Sequence, residues 1–349
     1  MTEKDYSGTV TGKIGKNARA DNNSSKQLLD LNNKTKKEKT LEEKQDFQEL
    51  TQEDIENYKK AGQIAKQVKE YAKTIIKKDV FLSEIANKIE DKILELGGEV
   101  AFPVNLSVDD VAAHYTPSLR DEKKALGLLK ADIGIHVNGC IADMALTFDL
   151  TPEKKYTSLV EASQEALKAA IKQVQETKEK TTLSQIGKII SQTITNAGCT
   201  VIANLSGHGL GKYDIHSGIN IPNYDNKSTT ELGEGAFAIE PFATLKNGAG
   251  AIYDGAGSNI YRVVRSGQVR DASSREIITW ILENKQMLPF SSRELERKFG
   301  TKALIAISNL KRAGVIDEFS QLVEKNHQVV SQAETSFIIH NGKVEVLVE

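Results

Sequence analysis

The chain has 349 residues, with 46 Lys and Arg against 48 Asp and Glu, for a formal net charge of -2. That balance gives no electrostatic case for a specific nucleic-acid or anionic-membrane partner. No apolar run reaches the length of a membrane span, the first residues lack the basic and apolar regions of a signal peptide, and Cys140 and Cys199 are too few for a disulfide framework, so the expectation is a cytoplasmic protein without a membrane partner.

Residues 1–50 are rich in Lys, Asn, Asp, Glu and Thr, with Leu28, Leu29 and Leu31 as their largest apolar cluster. Such a polar extension has little to bury and is expected to be disordered. It reads as a solvated tail or as a docking segment for a larger partner. Regular structure is expected from Thr51, where Thr51 and Asp54 form a capping box. A helix should carry Ile55, Ala61, Ile64, Ala65, Val68 and Ala72 on one face. A second helix, capped by Ser83, should carry Ile85, Ile89, Ile93 and Leu94 and stop at Gly97-Gly98.

The same pattern returns 101 residues later. Ala61, Gln63 and Ala65 match Ala162, Gln164 and Ala166; Leu82-Ser83-Glu84-Ile85 matches Leu183-Ser184-Gln185-Ile186; Gly97 matches Gly198. This is a two-copy repeat of helix pairs, each followed by strand-like sequence. Two related halves would place a site at their seam. Leu128 to Val137 and Cys140 to Phe148 read as strands joined by an Asn138-Gly139 hairpin turn. Gly235 to Phe242 and Ala251 to Val264 read as further strands. Residues 266–327 read as a helical, winged-helix-like insertion, with helix patterns at Ile277–Leu282 and Leu304–Leu310. Residues 328–349 return to sheet, turning at Asn341-Gly342. The catalytic domain is thus expected over 51–265 and 328–349.

Five residues carry chemistry within these strands. Asp132 and Asp143 lie in nearly apolar runs on the two arms of the hairpin. Two carboxylates there would repel, and one would take a proton unless a cation sat between them. His208 stands between Gly207 and Gly209, which let backbone approach a site closely. Glu240 lies in Ala236-Phe237-Ala238-Ile239-Glu240, and Glu334 opens the last hairpin. Together the set suggests two oxygen-rich sites sharing a ligand, suited to Mn, Co, Fe or Zn. No cysteine ligand points to structural zinc. His114 and His216 read as functional; His136 reads as surface or support, and nothing around His327 or His340 suggests chemistry.

With these residues in place, the sequence resembles the type 2 methionine aminopeptidases, especially their shorter archaeal forms. The resemblance is carried by Phe102-Pro103, by Asp110 to Pro117, by Asp132 to Gly139, by Ile141 to Thr147, by Asn204 to His208, by Ile239 to Thr244 and by Gln332-Ala333-Glu334, and covers about residues 51–349. It implies a pseudo-symmetric α/β pita-bread fold with a helical insertion before the last ligand. It implies two divalent metal ions, with Asp143 and Glu334 bridging them, Asp132 completing one site, and His208 and Glu240 the other. A water or hydroxide between the metals would attack the carbonyl after the first residue, and Glu240 would accept its proton. His114 and His216 would hold the substrate carbonyl and the developing oxyanion. Phe102, His114, Ile215 and His216 would bind the substrate, with Phe102, Ile215 and His216 walling the methionine side chain. The implied activity is removal of initiator methionine from nascent chains, preferring a small second residue, by a monomer; residues 1–50 are the candidate segment for a transient ribosome contact.

The pattern departs from the family at Thr335-Ser336, where His-Thr often follows the last glutamate, and in the looser approach Gly127 to Ala131. Two other readings share the fold. Proliferation-associated relatives bind RNA or ribosomes and have lost metal ligands; all five are present here. Prolidase and creatinase relatives carry a substantial N-terminal domain that residues 1–50 cannot form.

Overall fold

The structure is a computed structural model that describes residues 50–267 and 269–349. The disorder expected of residues 1–50 therefore falls outside the described residues, Leu50 excepted. Helix α1 (Gln52–Ile75) starts on the expected capping box: Asp54 N donates to Thr51 Oγ1 at 3.1 Å and Thr51 N to Asp54 Oδ2 at 3.3 Å. Two orphan amides are satisfied reciprocally, worth about 1 kcal/mol. Its buried face holds Ile55, Ala61, Ile64, Ala65, Val68 and Ala72. Helix α2 (Leu82–Glu95) corrects the expected cap. It begins before Ser83, Phe81 holds the cap position without a side-chain bond, and Ser83 Oγ donates to Asp121 O. The first amide, Leu82 N, is taken by Lys123 O instead. Gly97, at φ 80°, ends this helix.

The repeat is regular in space. Helix α3 spans Thr157–Thr177 and α4 spans Leu183–Asn196. The bounds of α4 are those of α2 moved by 101 residues (82 + 101 and 95 + 101), and Gly198 at φ 77° stands where Gly97 does. Each helix pair covers a core of its own. Val68, Ile85 and Ile89 pack with Ile133 and Ile141; Ala166, Val174 and Ile190 pack with Ile221 and Phe237.

Both pairs lie against one antiparallel sheet built from β1 (Glu99–Val108), β3 (Leu128–Val137), β4 (Cys140–Asp149), β14 (Glu334–His340), β8 (Gly235–Ile239), β6 (Ser206–Gly211) and β7 (Asp214–Pro222), in that order, with β15 (Lys343–Val346) on β14. The expected single strand from Gly235 to Phe242 is broken. β8 ends at Ile239, and β9 (Phe242–Thr244) joins a separate small sheet with β5 (Thr200–Val201) and β13 (Val330–Gln332). Pro241 lies in the break and has no amide for a ladder.

A third sheet orders β11 (Phe290–Ser291), β10 (Ile252–Val263), β12 (Ile316–Glu324) and β2 (Val111–Ala113). Residues 266–327 supply helices α5 (Ala272–Asn284), α6 (Ser292–Phe299) and α7 (Lys302–Arg312), and also β11 and β12. Ile277, Ile281, Leu295, Ala306 and Leu310 pack there with Tyr261 and Phe290. The pairing of β12 with β10 and β2 brings this segment back to the wall opposite the large sheet.

Candidate metal centre

The β3–β4 hairpin closes at Val137 and Cys140, with Asn138 at φ 49° and Gly139 at φ 85°. Both values suit a two-residue type I′ turn. That turn fixes the register: Asp132 opposes Ala145 and Gly134 opposes Asp143. Side chains alternate with period two, so Asp132 and Asp143 share one face as diagonal neighbours. Glu334 opposes the same Ala145 on the next strand. Thr335 opposes Ile239 on β8, which places Glu240 past that strand's end and beside Glu334. His208, on β6, opposes Ala238. Adjacent strands of one sheet thus present Asp132, Asp143, Glu334, Glu240 and His208 in spatial order.

These groups converge. One ligand atom each from Asp143, His208 and Glu334 lies within 4.8 Å of the others. His208 Nε2 is 3.6 Å from Glu240 Oε1 and 3.9 Å from Asp143 Oδ2. His208 Nδ1 lies 3.2 Å from Gly209 O, so it donates there and leaves the Nε2 lone pair facing the acids. Burial holds the His208 imidazole down at about 3, so it is neutral near pH 7.

The carboxyls are displaced the opposite way. Desolvation lifts Asp132 to about 7. Desolvation first, then the neighbouring carboxylates, hold Asp143, Glu240 and Glu334 well above the usual range. Among the described residues lining the cavity there is no lysine or arginine to offset them. Asp132 Oδ1 and Asp143 Oδ1 are buried without a hydrogen-bond partner. Four acids, one neutral imidazole and two orphaned oxygens fit a site for divalent cations and fit no ion pair among the described residues.

All nine sequence-predicted residues line one cavity of about 200 Å³: Phe102, His114, Asp132, Asp143, His208, Ile215, His216, Glu240 and Glu334. Phe102 lies against Gly134, where a Cβ would come within 2.2 Å of its ring. The His216 ring meets the His208 ring edge-on at 4.6 Å, on an exposed residue whose imidazole is nonetheless held below its usual value by desolvation. His114 stands at φ 61°, left-handed for a non-glycine residue, with its ring edge-on to Phe319 at 5.6 Å. Desolvation holds it down at about 4.

The other three histidines lie elsewhere. His136 is buried and accepts from Gly139 N, so it supports the hairpin; His327 pairs with Asp110 and His340 with Glu345.

Several contributors were given no role from the sequence. Gln332 Nε2 donates to both Asp132 and Glu334. Its place two residues before Glu334 was the available signal. Asn105 lines the cavity opposite Asp132 on β1. Pro289 and Phe319 come from the insertion at 266–327, which has no cluster of metal or nucleophile residues, yet they form part of the wall.

Residues 56–270 match metallopeptidase family M24. The methionine aminopeptidase of Methanocaldococcus jannaschii is 39% identical over 299 residues, covering 84% of this chain and 99% of that protein. Among solved structures, a thermophilic Arx1 aligns over 86% of this chain and 91% of its own, with TM-score 0.70 and 15% identity. A methionine aminopeptidase from Thermotoga maritima aligns over 87% of this chain and 99% of its own, with TM-score 0.60 and 18% identity. The two structural matches speak for the pita-bread fold, and among the described residues no helix is long and apolar enough to cross a membrane. The match along residues 56–270 and the archaeal identity settle the family: this chain belongs to metallopeptidase family M24.

Proposed function

We propose that the chain is a methionyl aminopeptidase that removes N-terminal methionine from new polypeptides and prefers a small second residue. The observation that carries this reading is the convergence of four carboxyls and a neutral imidazole with no cationic side chain on the cavity wall. Two divalent ions, Co, Mn, Fe or Zn, would be held by Asp132, Asp143, His208, Glu240 and Glu334. Such ions supply polarisation of the scissile carbonyl and a water of lowered pKa.

The chain's own groups do the remaining work. Glu240 takes the proton of the attacking water and returns it to the leaving amine as the C–N bond breaks. His114, neutral at pH 7 because burial holds it at about 4, donates a hydrogen bond to the developing oxyanion. His216, at the cavity mouth, holds the substrate carbonyl. Phe102 and Ile215 offer apolar wall to an unbranched side chain. The substrate's free amine lies toward Asp132, which restricts cleavage to the first residue of a chain.

Metal-stripped protein assayed on Met-Ala-Ser, Met-Leu-Ser and Ala-Pro, with Mn, Fe, Co and Zn titrated in turn, tests the reading. Release of methionine from Met-Ala-Ser, with Met-Leu-Ser poor and Ala-Pro intact, is the expected result. Cleavage of Ala-Pro alone would overturn the substrate. No cleavage by folded, metal-loaded protein would overturn the enzyme.

A further inference from the structure

Arg293 is fully buried, in the first turn of α6, within the segment 266–327 that supplies no candidate ligand. Its guanidinium reaches out of that segment. Nη1 donates to Thr116 Oγ1 at 3.0 Å and to Pro117 O at 2.6 Å; Nη2 meets the Glu90 carboxylate on α2. Two of the three acceptors, Thr116 and Glu90, hold the same stretch of β1. Thr116 Oγ1 donates to Val104 O at 2.8 Å, and Glu90 Oε1 accepts from Val104 N at 3.2 Å. The β1–β3 ladder is irregular between Phe102 and Asn105, so Val104 turns to this cluster for both of its backbone groups. Arg293, Glu90, Val104 and Thr116 therefore close a buried ring drawn from α2, β1, the loop after β2, and α6.

The ring lies behind two cavity walls. Val104 lies two residues after Phe102 and one before Asn105, and Thr116 lies two residues after His114; Phe102, Asn105 and His114 all line the cavity. His114 holds φ 61°, a conformation that persists in a non-glycine residue only where its surroundings over-determine it. Thr116, two residues on, is fixed from three sides: its amide donates to Ser258 O, its carbonyl accepts from Asn259 Nδ2, and its hydroxyl accepts from Arg293. A guanidinium is suited to this place because its planar fork serves three acceptors at once, which an ammonium on a flexible stem does not reproduce.

We propose that Arg293 is a positioning residue for the hydrolytic site, holding His114 through Thr116 and Pro117, and the Phe102–Asn105 wall through Glu90 and Val104. The segment 266–327 then sets the geometry of the reacting centre without touching substrate through Arg293. This rests on the role given above to His114.

A double-mutant cycle of Arg293→Lys and His114→Ala in Mn-loaded protein tests it, with kcat and KM on Met-Ala-Ser read beside calorimetric Mn affinity and stoichiometry. A displacement near 1 Å costs roughly 10- to 100-fold in rate. Arg293→Lys should therefore lower kcat/KM by roughly 10- to 100-fold while Mn affinity stays within about twofold. In the His114→Ala background the same change should cost less than about threefold, because the group it positions is gone. Losses that multiply fully, or a fall in Mn affinity in step with activity, would overturn the proposal and leave Arg293 as a structural staple. Should Arg293→Lys not fold, Thr116→Val removes the linking hydroxyl at nearly constant volume and is read by the same cycle. Full activity of His114→Ala alone would instead overturn the role of His114.

Discussion

Gln332 Nε2 donates to Asp132 Oδ2 at 3.4 Å and to Glu334 Oε2 at 3.3 Å, so one carboxamide spans the first and last acids of the site. Its own backbone is fixed at both ends of one hydroxyl: Gln332 N donates to Thr147 Oγ1 at 2.9 Å, and Thr147 Oγ1 donates to Gln332 O at 2.6 Å. Two long-range strands are thereby locked at the point where the acids meet. Groups that orient metal ligands in this way are typically worth ~10- to 100-fold in affinity. Gln332→Leu should weaken binding of the ion held by Asp132 and Glu334 by that factor, with the secondary structure unchanged. Calorimetric titration of metal-free protein with Mn checks this; wild-type affinity would remove the orienting role.

The raised carboxyl groups set a pH dependence for the metal-free protein. The sign follows from Asp132, which in the folded metal-free chain keeps its proton to about 7, against 3.8 for an unperturbed carboxyl. The folded state binds more protons across that window, so its stability falls as pH rises from 3.8 through 7. Asp143, Glu240 and Glu334 shift in the same direction. Metal binding requires the deprotonated acids and reverses the penalty. The Tm gap between Mn-loaded and metal-free protein should therefore widen between about pH 5.5 and pH 8. Buried groups away from the site, such as Lys130, shift both forms alike and cancel in the difference. A gap that is flat with pH would mean the acids are already ionised without metal.

Much of the candidate site was legible because its residues violate local expectation. An acid inside an apolar run must find a partner, and Asp132, Asp143 and Glu240 each stand in one. The Asn138-Gly139 turn then fixed which face the first two share, and the spacing of 101 residues between helix pairs showed two halves. What stayed hidden depends on residues far apart in the chain. Ser83 looked like a cap, but Lys123 O takes the first amide of α2 and the helix starts earlier. Nothing in the sequence around Phe319 marks it; the pairing of β12 with β10 brings its ring edge-on to His114. The Arg293–Glu90 contact joins positions 203 apart, and no local pattern marks it. Pro241 was a visible warning that the strand from Gly235 would break, and its missing amide outweighed the apolar run around it.

Gly134 is the position at which a small change should separate binding from metal chemistry. A Cβ there would lie 2.2 Å from the Phe102 ring, inside any van der Waals contact. Phe102 would have to tilt away from β3 and into the cavity. Gly134→Ala should destabilise the protein by about 1–3 kcal/mol, the usual cost of overpacking. It should also raise KM for Met-Ala-Ser more than it lowers kcat, because the wall moves while the acids remain. Steady-state kinetics beside thermal unfolding check both parts. Loss of kcat with unchanged KM would move the methionine side chain away from Phe102.

His114 and His216 occupy contrasting surroundings, and that contrast predicts different losses. His114 is tucked against Phe319 on a strained backbone, and desolvation keeps its imidazole neutral to about pH 4. A fixed neutral donor in such a place acts on charge that develops during reaction, where removal of one donor costs roughly 10²- to 10³-fold in kcat. His216 is exposed, with its ring resting edge-on against His208. A donor on an exposed residue at the mouth discriminates less between bound substrate and transition state than one held inside the cavity. His114→Ala should therefore reduce kcat by roughly 10²- to 10³-fold with little change in KM, while His216→Ala raises KM and spares more of kcat. Both variants should keep wild-type metal stoichiometry, since neither imidazole is among the five converging groups. The reverse pattern, with kcat lost at His216 and KM at His114, would exchange the two roles.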